Sequence, residues 1–285
     1  MSFKAALVQM RSGRDMKRNI AEAAAMIREA KAGGADFVLT PEITNIMEPD
    51  KARLAGLLKP EGEDAGVAAF ASLARDLKIW LMAGSLALRG ETGKLVNRSL
   101  LFTPGGAVAA RYDKIHLFDV TLPDGEEIRE SASFSPGDQA VVAGLPWCRF
   151  GMTICYDVRF AALYRALAQA GAAVLTVPAA FTVPTGKGHW HVLLRARAIE
   201  TGSFVLAAAQ GGTHDSGRAT YGHSLAVSPW GEVLAEAGID PGVTLVEIDP
   251  AQSTLARQRI PALRHDRPFA PPELKFAAPM ATSVA

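Results

Sequence analysis

Residues 33–42 of this chain read GGADFVLTPE, and residues 170–179 read AGAAVLTVPA. In both stretches, glycine follows a helical pattern and a short apolar strand comes next. The helix before the first stretch, residues 15–32, is amphipathic, and residues 3–10 form an apolar strand before it. A strand, a helix and a second strand in this order make a unit of an α/β fold.

The likeness of the two stretches bears on the number of layers in the fold. Two similar helix–Gly–strand units from one chain fit two similar layers. Such units also resemble one another without any such relation, which leaves a single doubly wound sheet open. No low-complexity linker divides the halves of the chain. We favour one domain over two, and an α/β sandwich over a single doubly wound sheet.

Short apolar strands and amphipathic helices alternate along the rest of the chain. Strands are predicted at 79–88, 95–103, 107–113, 149–154, 173–177, 204–209, 243–248 and as a pair within 223–235. Helices are predicted at 67–77, 159–170 and 189–201. Residues 115–138 have no clean period and contain Pro and Gly, so we expect a long irregular loop, and loops of that length are usually functional.

Charge and cysteine content exclude several classes of protein. The 285 residues include 30 Lys and Arg against 29 Asp and Glu, without a block of like charges, which disfavours nucleic-acid and membrane-surface binding. Two cysteines cannot form a disulfide framework or a zinc ribbon. No secretory or membrane-spanning segment is recognisable. We expect a cytoplasmic protein with free thiols, a domain over residues 1–268 and a Pro-rich tail at 269–285.

The two cysteines have different surroundings. Cys155 ends the strand GMTIC just before a helix, the place where α/β proteins put ligands and nucleophiles, although cysteine is also a common core residue. Cys148 has no polar neighbours and is expected in the core. A catalytic thiol needs a base, and none of the six histidines has a spacing that indicates a Cys–His pair. His189 and His191 would diverge on a helix, so no metal site is predicted.

Two other side chains could complete a thiol-based chemistry. Glu42 follows Pro41 at the end of the apolar strand FVLT, and Lys114 follows the strand containing ARYD. Each alone reads most simply as a surface charge. Together with Cys155 they would supply a proton acceptor, a cation for an oxyanion and a nucleophile. Spacing in the sequence does not by itself bring the three together.

Three segments resemble the signature segments of the carbon–nitrogen hydrolases, the nitrilase superfamily, in the same order. They are LTPE ending at Glu42, RYDKIHLFDV around Lys114 and GMTICYDVRF around Cys155. The likeness extends over about residues 3–268, and further segments resemble the Nit amidases, the branch with omega-amidase and deaminated glutathione amidase. These are RES at 129–131, SPGD at 135–138, TGKGHW at 185–190, RARAIE at 195–200, AAAQGG at 207–212 and YGHSLAVSPWGEVL at 221–234.

The resemblance implies a fold and an assembly. The fold is a four-layer αββα sandwich, which dimerises into an αββααββα stack. The branch uses neither a metal nor an organic cofactor, and its binding partner is a small-molecule amide. The chain departs from many relatives at Ala161 and Ala162, where Pro-Glu or Ala-Glu is common.

The resemblance also implies roles for single residues. Glu42 is the general base and acid, Lys114 stabilises the oxyanion, Cys155 is the nucleophile, and Glu130 orients the substrate or Lys114. The reaction passes through a thioester. We add the backbone N–H of Tyr156 as a second oxyanion donor.

The substrates of this branch carry a carboxylate besides the amide, so a cation other than Lys114 is needed. Arg159 and Arg129 are the candidates, and each could instead be a structural ion-pair residue. KIHLFDV is closer to omega-amidases, whereas residues 207–224 are closer to deaminated glutathione amidases. The alternatives are a nitrilase or an N-carbamoyl hydrolase of the same superfamily and, in another class, a non-catalytic binding protein with this fold.

Overall fold

Two six-stranded β-sheets form the centre of the computed structural model, which describes residues 1–91, 93–122 and 125–274. The first sheet contains β1 (Phe3–Gln9), β2 (Phe37–Leu39), β3 (Trp80–Arg89), β4 (Leu95–Phe102), β5 (Val108–Asp113) and β16 (Gly242–Ile248). The second contains β8 (Val141–Gly144), β9 (Arg149–Met152), β10 (Ala172–Thr176), β11 (Phe204–Ala207), β14 (Leu225–Val227) and β15 (Val233–Glu236). Two separate hairpins contain β6 (Asp119–Thr121), β7 (Glu127–Arg129), β12 (Gly211–Thr213) and β13 (Ala219–Tyr221).

Helices connect the parallel strands. They are α1 (Met16–Ala32), α2 (Lys51–Leu57), α3 (Ala65–Leu77), α4 (Ala161–Gln169) and α5 (Val183–Thr201); a further helix, α6 (Ala251–Arg259), follows β16. Asp15 begins α1 by accepting a hydrogen bond from the Arg18 N–H, and Gly34 follows its end with a φ of 88°, a conformation that favours glycine. No helix within the described residues is long and apolar enough to cross a membrane.

The two sheets have the same topology. In the first, β1, β2 and β3 are parallel, β16 lies antiparallel beside β1, and β4 and β5 extend the sheet from β3 as antiparallel strands. In the second, β9, β10 and β11 are the parallel strands, β8 lies beside β9, and β14 and β15 extend the sheet from β11. The stretches 33–42 and 170–179 contain β2 and β10, the middle strand of each parallel trio. Their likeness therefore corresponds to equivalent positions in two like layers.

The two sheets pack face to face and are covered by helices outside. Between the sheets, the ring centroids of Phe37 and Phe150 lie 4.9 Å apart. On the outer face of the first sheet, Ile27 of α1 and Phe70 of α3 are fully buried. On the outer face of the second, α4 and α5 bury Tyr164 and, in α5, Trp190. The layers follow the order α, β, β, α, which confirms the predicted sandwich.

Most predicted elements are confirmed, and the differences have physical causes. Residues 115–138 are not wholly irregular, because β6 and β7 pair as a hairpin and Glu130–Ala132 form a 3₁₀ turn. The helix predicted from residue 189 begins at Val183, since Pro184 is tolerated in the first turn, where N–H groups have no intrahelical partner. Residues 265–274 have no regular secondary structure, and the rest of the predicted tail lies outside the described residues.

Gly84 gives a first testable consequence of this packing, because β3 passes close to the ends of two other strands at this residue. A Cβ at Gly84 would lie 1.8 Å from the Thr40 carbonyl oxygen and 2.6 Å from Pro178 Cβ. We expect Gly84→Ala to lower the free energy of unfolding by about 3 kcal/mol, because backbone cannot rotate away from the added methyl. Urea unfolding measures the change. Gly144→Ala is the control, since its Cβ would meet nothing within 4 Å; equal losses in both variants would contradict the argument.

Candidate active site

The three side chains that the sequence singled out lie together in the structure. The Lys114 ammonium is 2.8 Å from Glu42 Oε1, and the Cys155 thiol lies close enough to the Glu42 carboxylate for each group to shift the pKa of the other. The residues are 2%, 4% and 7% exposed for Lys114, Glu42 and Cys155. A buried thiol thus lies near a carboxylate that is itself paired to a cation.

The fold brings these residues together because each follows a strand at the same end of the sandwich. Glu42 follows β2 and Lys114 follows β5, both in the first sheet, whereas Cys155 follows β9 in the second. Residues at strand ends are free of the ladder, so their side chains can face a cleft. The site therefore needs both sheets, and neither half of the chain contains it alone.

Glu130 and Asn97 complete the buried polar group. Glu130 Oε2 is 2.9 Å from Lys114 Nζ and accepts a hydrogen bond of 2.7 Å from the Phe118 N–H. Asn97 Nδ2 donates to Glu42 Oε1 at 3.0 Å and to Glu130 Oε1 at 3.3 Å. Asn97 was missed at the sequence level, although a buried Asn in the apolar strand β4 is the kind of signal that marks such a site.

The nucleophile lies on a strained turn. Cys155 has a φ of 48°, in the left-handed region that non-glycine residues rarely adopt, and its N–H donates to the Pro178 carbonyl at 2.9 Å. It begins a 3₁₀ turn over Cys155–Arg159. Tyr156 is the second residue of that turn, where N–H groups have no intrahelical acceptor, and it lines the cavity beside the thiol.

Asp157 joins the nucleophile turn to β5, the strand that Lys114 follows. Its side chain is fully buried and accepts hydrogen bonds from the Tyr112 hydroxyl at 2.6 Å and from the Ile154 N–H at 2.8 Å. The backbone N–H of His116 donates to the same carboxylate at 3.0 Å, and the His116 ring contacts it at 2.7 Å. Asp157 thereby fixes the thiol relative to the ammonium across the two sheets.

The electrostatics of the site set which group holds the mobile proton. Burial acts to raise the pKa of the Glu42 carboxyl, but the Lys114 ammonium brings it below the ordinary value. Burial acts to lower the pKa of Lys114, but the Glu130 and Glu42 carboxylates raise it well above the ordinary value. Burial first, and the Glu42 charge second, raise the pKa of the Cys155 thiol. At neutral pH the site therefore holds a thiol, a carboxylate and an ammonium.

A cavity of about 730 Å³ opens beside these groups. Its wall includes Glu42, Lys114, Cys155 and Glu130, with apolar surface from Phe181 and its neighbours. The volume falls within the range of sites for small organic molecules. The arrangement can deliver a sulfur nucleophile, a proton acceptor and a fixed positive charge to one bound group.

The structure separates the two arginines predicted to bind a substrate carboxylate. Arg129 lines the cavity and lies 3.6 Å from Glu127. Arg159 is not among the cavity-lining residues in the described part of the chain; its guanidinium lies 5.7 Å from the centroid of the Tyr156 ring and 5.6 Å from that of Phe181.

A third arginine, which the sequence analysis did not single out, lines the cavity. Arg218 is close enough for its charge to lower the pKa of Glu42, and its Nη2 donates to the Ala180 carbonyl at 3.2 Å. Within the described residues, no carboxylate lies at ion-pair distance from its guanidinium. Ser216 Oγ, in the same loop, is buried in the cavity wall without a hydrogen-bond partner among the described residues. Both residues lie within 207–224, the segment that resembles deaminated glutathione amidases, but that resemblance did not indicate a role for either of them.

This fold and this site define a class of protein, the thiol-dependent hydrolases built on a four-layer sandwich. The carbon–nitrogen hydrolase family matches residues 4–258, and the chain belongs to that family. It is therefore a hydrolase that acts on carbon–nitrogen bonds other than peptide bonds.

Named relatives narrow the comparison. The chain is 40% identical over 269 residues to deaminated glutathione amidase of Synechocystis, and the aligned region covers 92% of this chain and 97% of the relative. It is 37% identical to the human omega-amidase NIT2 over 266 residues, or 93% of this chain and 95% of the relative. The crystal structure of the C. elegans NitFhit protein superimposes with a TM-score of 0.87 at 34% identity; the match covers 93% of this chain and 65% of that one. The predicted resemblance to the Nit branch is confirmed.

Proposed function

We propose that this chain is a cysteine-dependent amidase for small amides that carry a negatively charged carboxylate besides the amide. The observation that carries the proposal is the grouping of a neutral Cys155 thiol, an ionised Glu42 and the Lys114 ammonium at the wall of one cavity. An amidase needs these three functions at one carbonyl group. The family membership and the amidase relatives support the same reading.

The first half of the proposed reaction is acyl transfer to sulfur. Glu42 accepts the Cys155 proton as the sulfur attacks the amide carbon, so the thiolate forms only during attack. The tetrahedral oxyanion accepts hydrogen bonds from the Lys114 ammonium and the Tyr156 N–H. In comparable sites each such donor lowers the activation free energy by roughly 3–4 kcal/mol. Glu42 then gives its proton to the departing nitrogen, the C–N bond breaks, and a thioester to Cys155 remains.

The second half is hydrolysis of the thioester. Glu42, again a carboxylate, accepts a proton from water as the water oxygen attacks the same carbon. The oxyanion forms at the same two donors, the C–S bond breaks, and the proton returns to sulfur as the acid leaves. Glu130 and Asn97 keep Glu42 and Lys114 in place through hydrogen bonds of 2.9–3.3 Å.

The cavity also supports a binding place for the second carboxylate. Arg218 brings a guanidinium without an acidic partner in the described residues, and Ser216 Oγ brings an unbonded hydroxyl. A carboxylate that accepts from both would satisfy a buried polar atom and neutralise a charge. Arg129 lies in the same wall near Glu127, so its guanidinium is partly satisfied already. We therefore propose that Arg218, rather than Arg129 or Arg159, binds the substrate carboxylate.

We expect Arg218→Met to raise KM for a carboxylate-bearing amide by about 30-fold and to leave kcat within about threefold, because a charge-assisted bond is worth about 2 kcal/mol and is present before and during the reaction. The measurement is steady-state kinetics with the acid amide and with its neutral methyl ester. The ester should lose little. Arg129→Met and Arg159→Met are the matched controls, and a larger KM effect in either of them would transfer the role.

A comparison of substrates tests the proposed function itself. 2-Oxoglutaramate and deaminated glutathione both release 2-oxoglutarate on hydrolysis, with ammonia from the first and cysteinylglycine from the second. We expect release from at least one, and the roomy cavity favours the larger deaminated glutathione. A nitrile and an N-carbamoyl amino acid belong in the same panel. Turnover of either of these alone, or of none of the four, would overturn the amidase proposal in favour of the nitrilase, carbamoylase or binding alternative.

We also propose that the chain forms a homodimer through the exposed side of α5. Val192 and Ile199 lie two turns apart on α5 and are 68% and 55% exposed, and Trp230 and Ile260, near the end of the helix, are more than half exposed. Such an apolar patch is typical of an interface. Sedimentation of the protein and of Trp230→Glu tests this, since the variant should be monomeric.

The free thiols Cys148 and Cys155 support the proposed cytoplasmic location.

A further inference from the structure

Two histidines and a glutamate that the mechanism does not use meet on the outer side of the second sheet. His191 Nε2 and His223 Nδ1 each lie 2.9 Å from the same oxygen, Oε1 of Glu236. The three potential ligand atoms all lie within 4.8 Å of one another. They come from three separate segments, which are α5, the residues after β13 and the end of β15.

We propose that His191, His223 and Glu236 bind one divalent transition-metal ion, with Zn²⁺ as the best fit. Two imidazole nitrogens and one carboxylate oxygen form a common donor set for zinc, and a fourth position is then taken by water. Ligands at about 2.0–2.1 Å around a tetrahedral ion lie about 3.4 Å apart. The two present contacts of 2.9 Å need to open slightly, and the two imidazole nitrogens, which lie within 4.8 Å of each other, need to approach that spacing. An ion would replace the two protons that now bridge the nitrogens and Glu236.

The imidazole of His223 is already held in place. His223 has a φ of 56°, in the left-handed region, and its backbone N–H donates to the Gly238 carbonyl at 2.9 Å. The Trp190 Nε1–H donates to the His223 carbonyl at 2.7 Å, and the Tyr221 ring stacks on the His223 ring at a centroid distance of 4.3 Å. A ligand fixed in this way loses little conformational freedom on binding an ion.

The three side chains remain partly open to solvent. Their exposed fractions are 31% for His191, 25% for His223 and 38% for Glu236. An ion can therefore enter, and water can complete its coordination. None of the three is among the cavity-lining residues of the described chain, so this site is separate from the nucleophile. In the sequence His191 stands beside His189, and its partners His223 and Glu236 are 32 and 45 residues away, so spacing does not indicate the cluster.

The proposed role is to tie α5 to the second sheet. The first turn of α5 contributes Val183, Pro184 and Thr185 to the wall of the catalytic cavity, and His191 lies about two turns further along the same helix. An ion shared by α5 and β15 would stabilise the folded chain by mass action, because the unfolded chain does not hold the three ligands together. At saturating Zn²⁺ we expect the midpoint of thermal unfolding to rise by about 5 °C.

The test is titration with Co²⁺ and Zn²⁺ alone on Cys155→Ala protein, since this background removes the catalytic thiol as a competing ligand. We expect one Co²⁺ per chain, with the visible bands of a four- or five-coordinate ion and without the near-ultraviolet band of a thiolate. His191→Gln and Glu236→Gln should each weaken binding by at least about 100-fold, since loss of a direct ligand costs more than loss of an outer partner.

The matched control is His265→Gln, which removes an exposed histidine just after the 3₁₀ turn Ala262–Arg264, outside the three-residue cluster, and should bind the ion unchanged. Circular dichroism without metal shows that each variant is folded. No stoichiometric binding, or binding that survives in the folded double variant His191→Gln, Glu236→Gln, would overturn the proposal. None of these outcomes bears on amidase activity of the native chain, so the two proposals fail separately.

Discussion

Replacement of Cys155 by alanine is expected to remove amide hydrolysis, with a fall in kcat of at least about 10⁴-fold. Loss of a nucleophile removes the thioester route entirely, and single losses of this kind cost nearly as much as loss of the whole catalytic group. Alanine keeps the volume close and has no more difficulty than cysteine with a φ of 48°, so the turn should persist. The measurement is release of the acid product from the best substrate of the panel.

Cys148 provides the matched control for this prediction. It is half-buried, and burial raises the pKa of its thiol to about 12, so it carries almost no thiolate at neutral pH. Cys148→Ala should keep full activity. In mass spectra of the native enzyme taken during turnover, one acyl adduct should map to Cys155. Retained turnover in Cys155→Ala, or an adduct on Cys148, would contradict the assignment.

The sequence predicts the sandwich well because its signals are local. The helix and glycine pattern before β2 and β10 reflects hydrophobic periodicity and chain reversal, which depend on neighbouring residues. The equivalent positions of these two strands in the two sheets depend on pairing between segments far apart in the chain. The likeness of 33–42 to 170–179 is a weak indication of that equivalence. The short helices α2 and α6 lack a strong pattern because few of their residues are buried.

The candidate site divides in the same way. Glu42, Lys114 and Cys155 follow strands within recognisable segments, so the family resemblance locates them. Asn97 and Arg218 approach the cavity through tertiary packing. Asn97 belongs to no segment that indicates a function, and the resemblance of residues 207–224 to deaminated glutathione amidases does not single out Arg218. The cluster of His191, His223 and Glu236 shows the same limit, since its members come from segments far apart in the chain and meet only through the packing of α5 against β13 and the second sheet.

Lys114→Met is the prediction with the second-largest effect on the reaction. Removal of the ammonium takes away one oxyanion donor, which alone costs about 10²–10³-fold in kcat. It also leaves Glu42 in a buried place where burial raises its pKa without the opposing Lys114 charge. Part of the enzyme then holds a protonated Glu42 that cannot accept the thiol proton. We expect a total loss of about 10³-fold or more near neutral pH.

The pH profile separates this effect from simple loss of an oxyanion donor. In the native enzyme the pKa of Glu42 lies below its ordinary value, so kcat/KM should not fall as the pH is lowered until that low value is reached. In Lys114→Met this acid limb, the pH range in which kcat/KM falls as the pH is lowered, should move to higher pH. The residual activity should then rise with pH over the neutral range. An acid limb at the same pH in both proteins would contradict the proposed control of Glu42 by Lys114.

Stability should change with a sign that follows from the same pKa shifts. Native Glu42 has a lowered pKa, so its pairing with Lys114 contributes stability above the unfolded-state pKa, and that contribution is lost as the pH falls through the folded-state value. Lys114→Met leaves Glu42 and Glu130 buried together without their cation, which costs about 3–5 kcal/mol when both are ionised. Protonation of a carboxylate relieves that cost. The difference in free energy of unfolding between the native protein and the variant should therefore become smaller as the pH is lowered.

Urea unfolding at about pH 5.5 and about pH 8 measures this difference, with Lys59→Met as a control at an exposed lysine. The double variant Lys114→Met, Glu42→Gln should recover part of the lost stability, because an amide carries no charge into the buried site, yet it should recover no activity. A double variant less stable than Lys114→Met would mean that the lysine acts through packing of its chain. Recovery of stability without activity assigns the ammonium two separate roles: it neutralises two buried carboxylates in the resting enzyme, and it binds the oxyanion during the reaction.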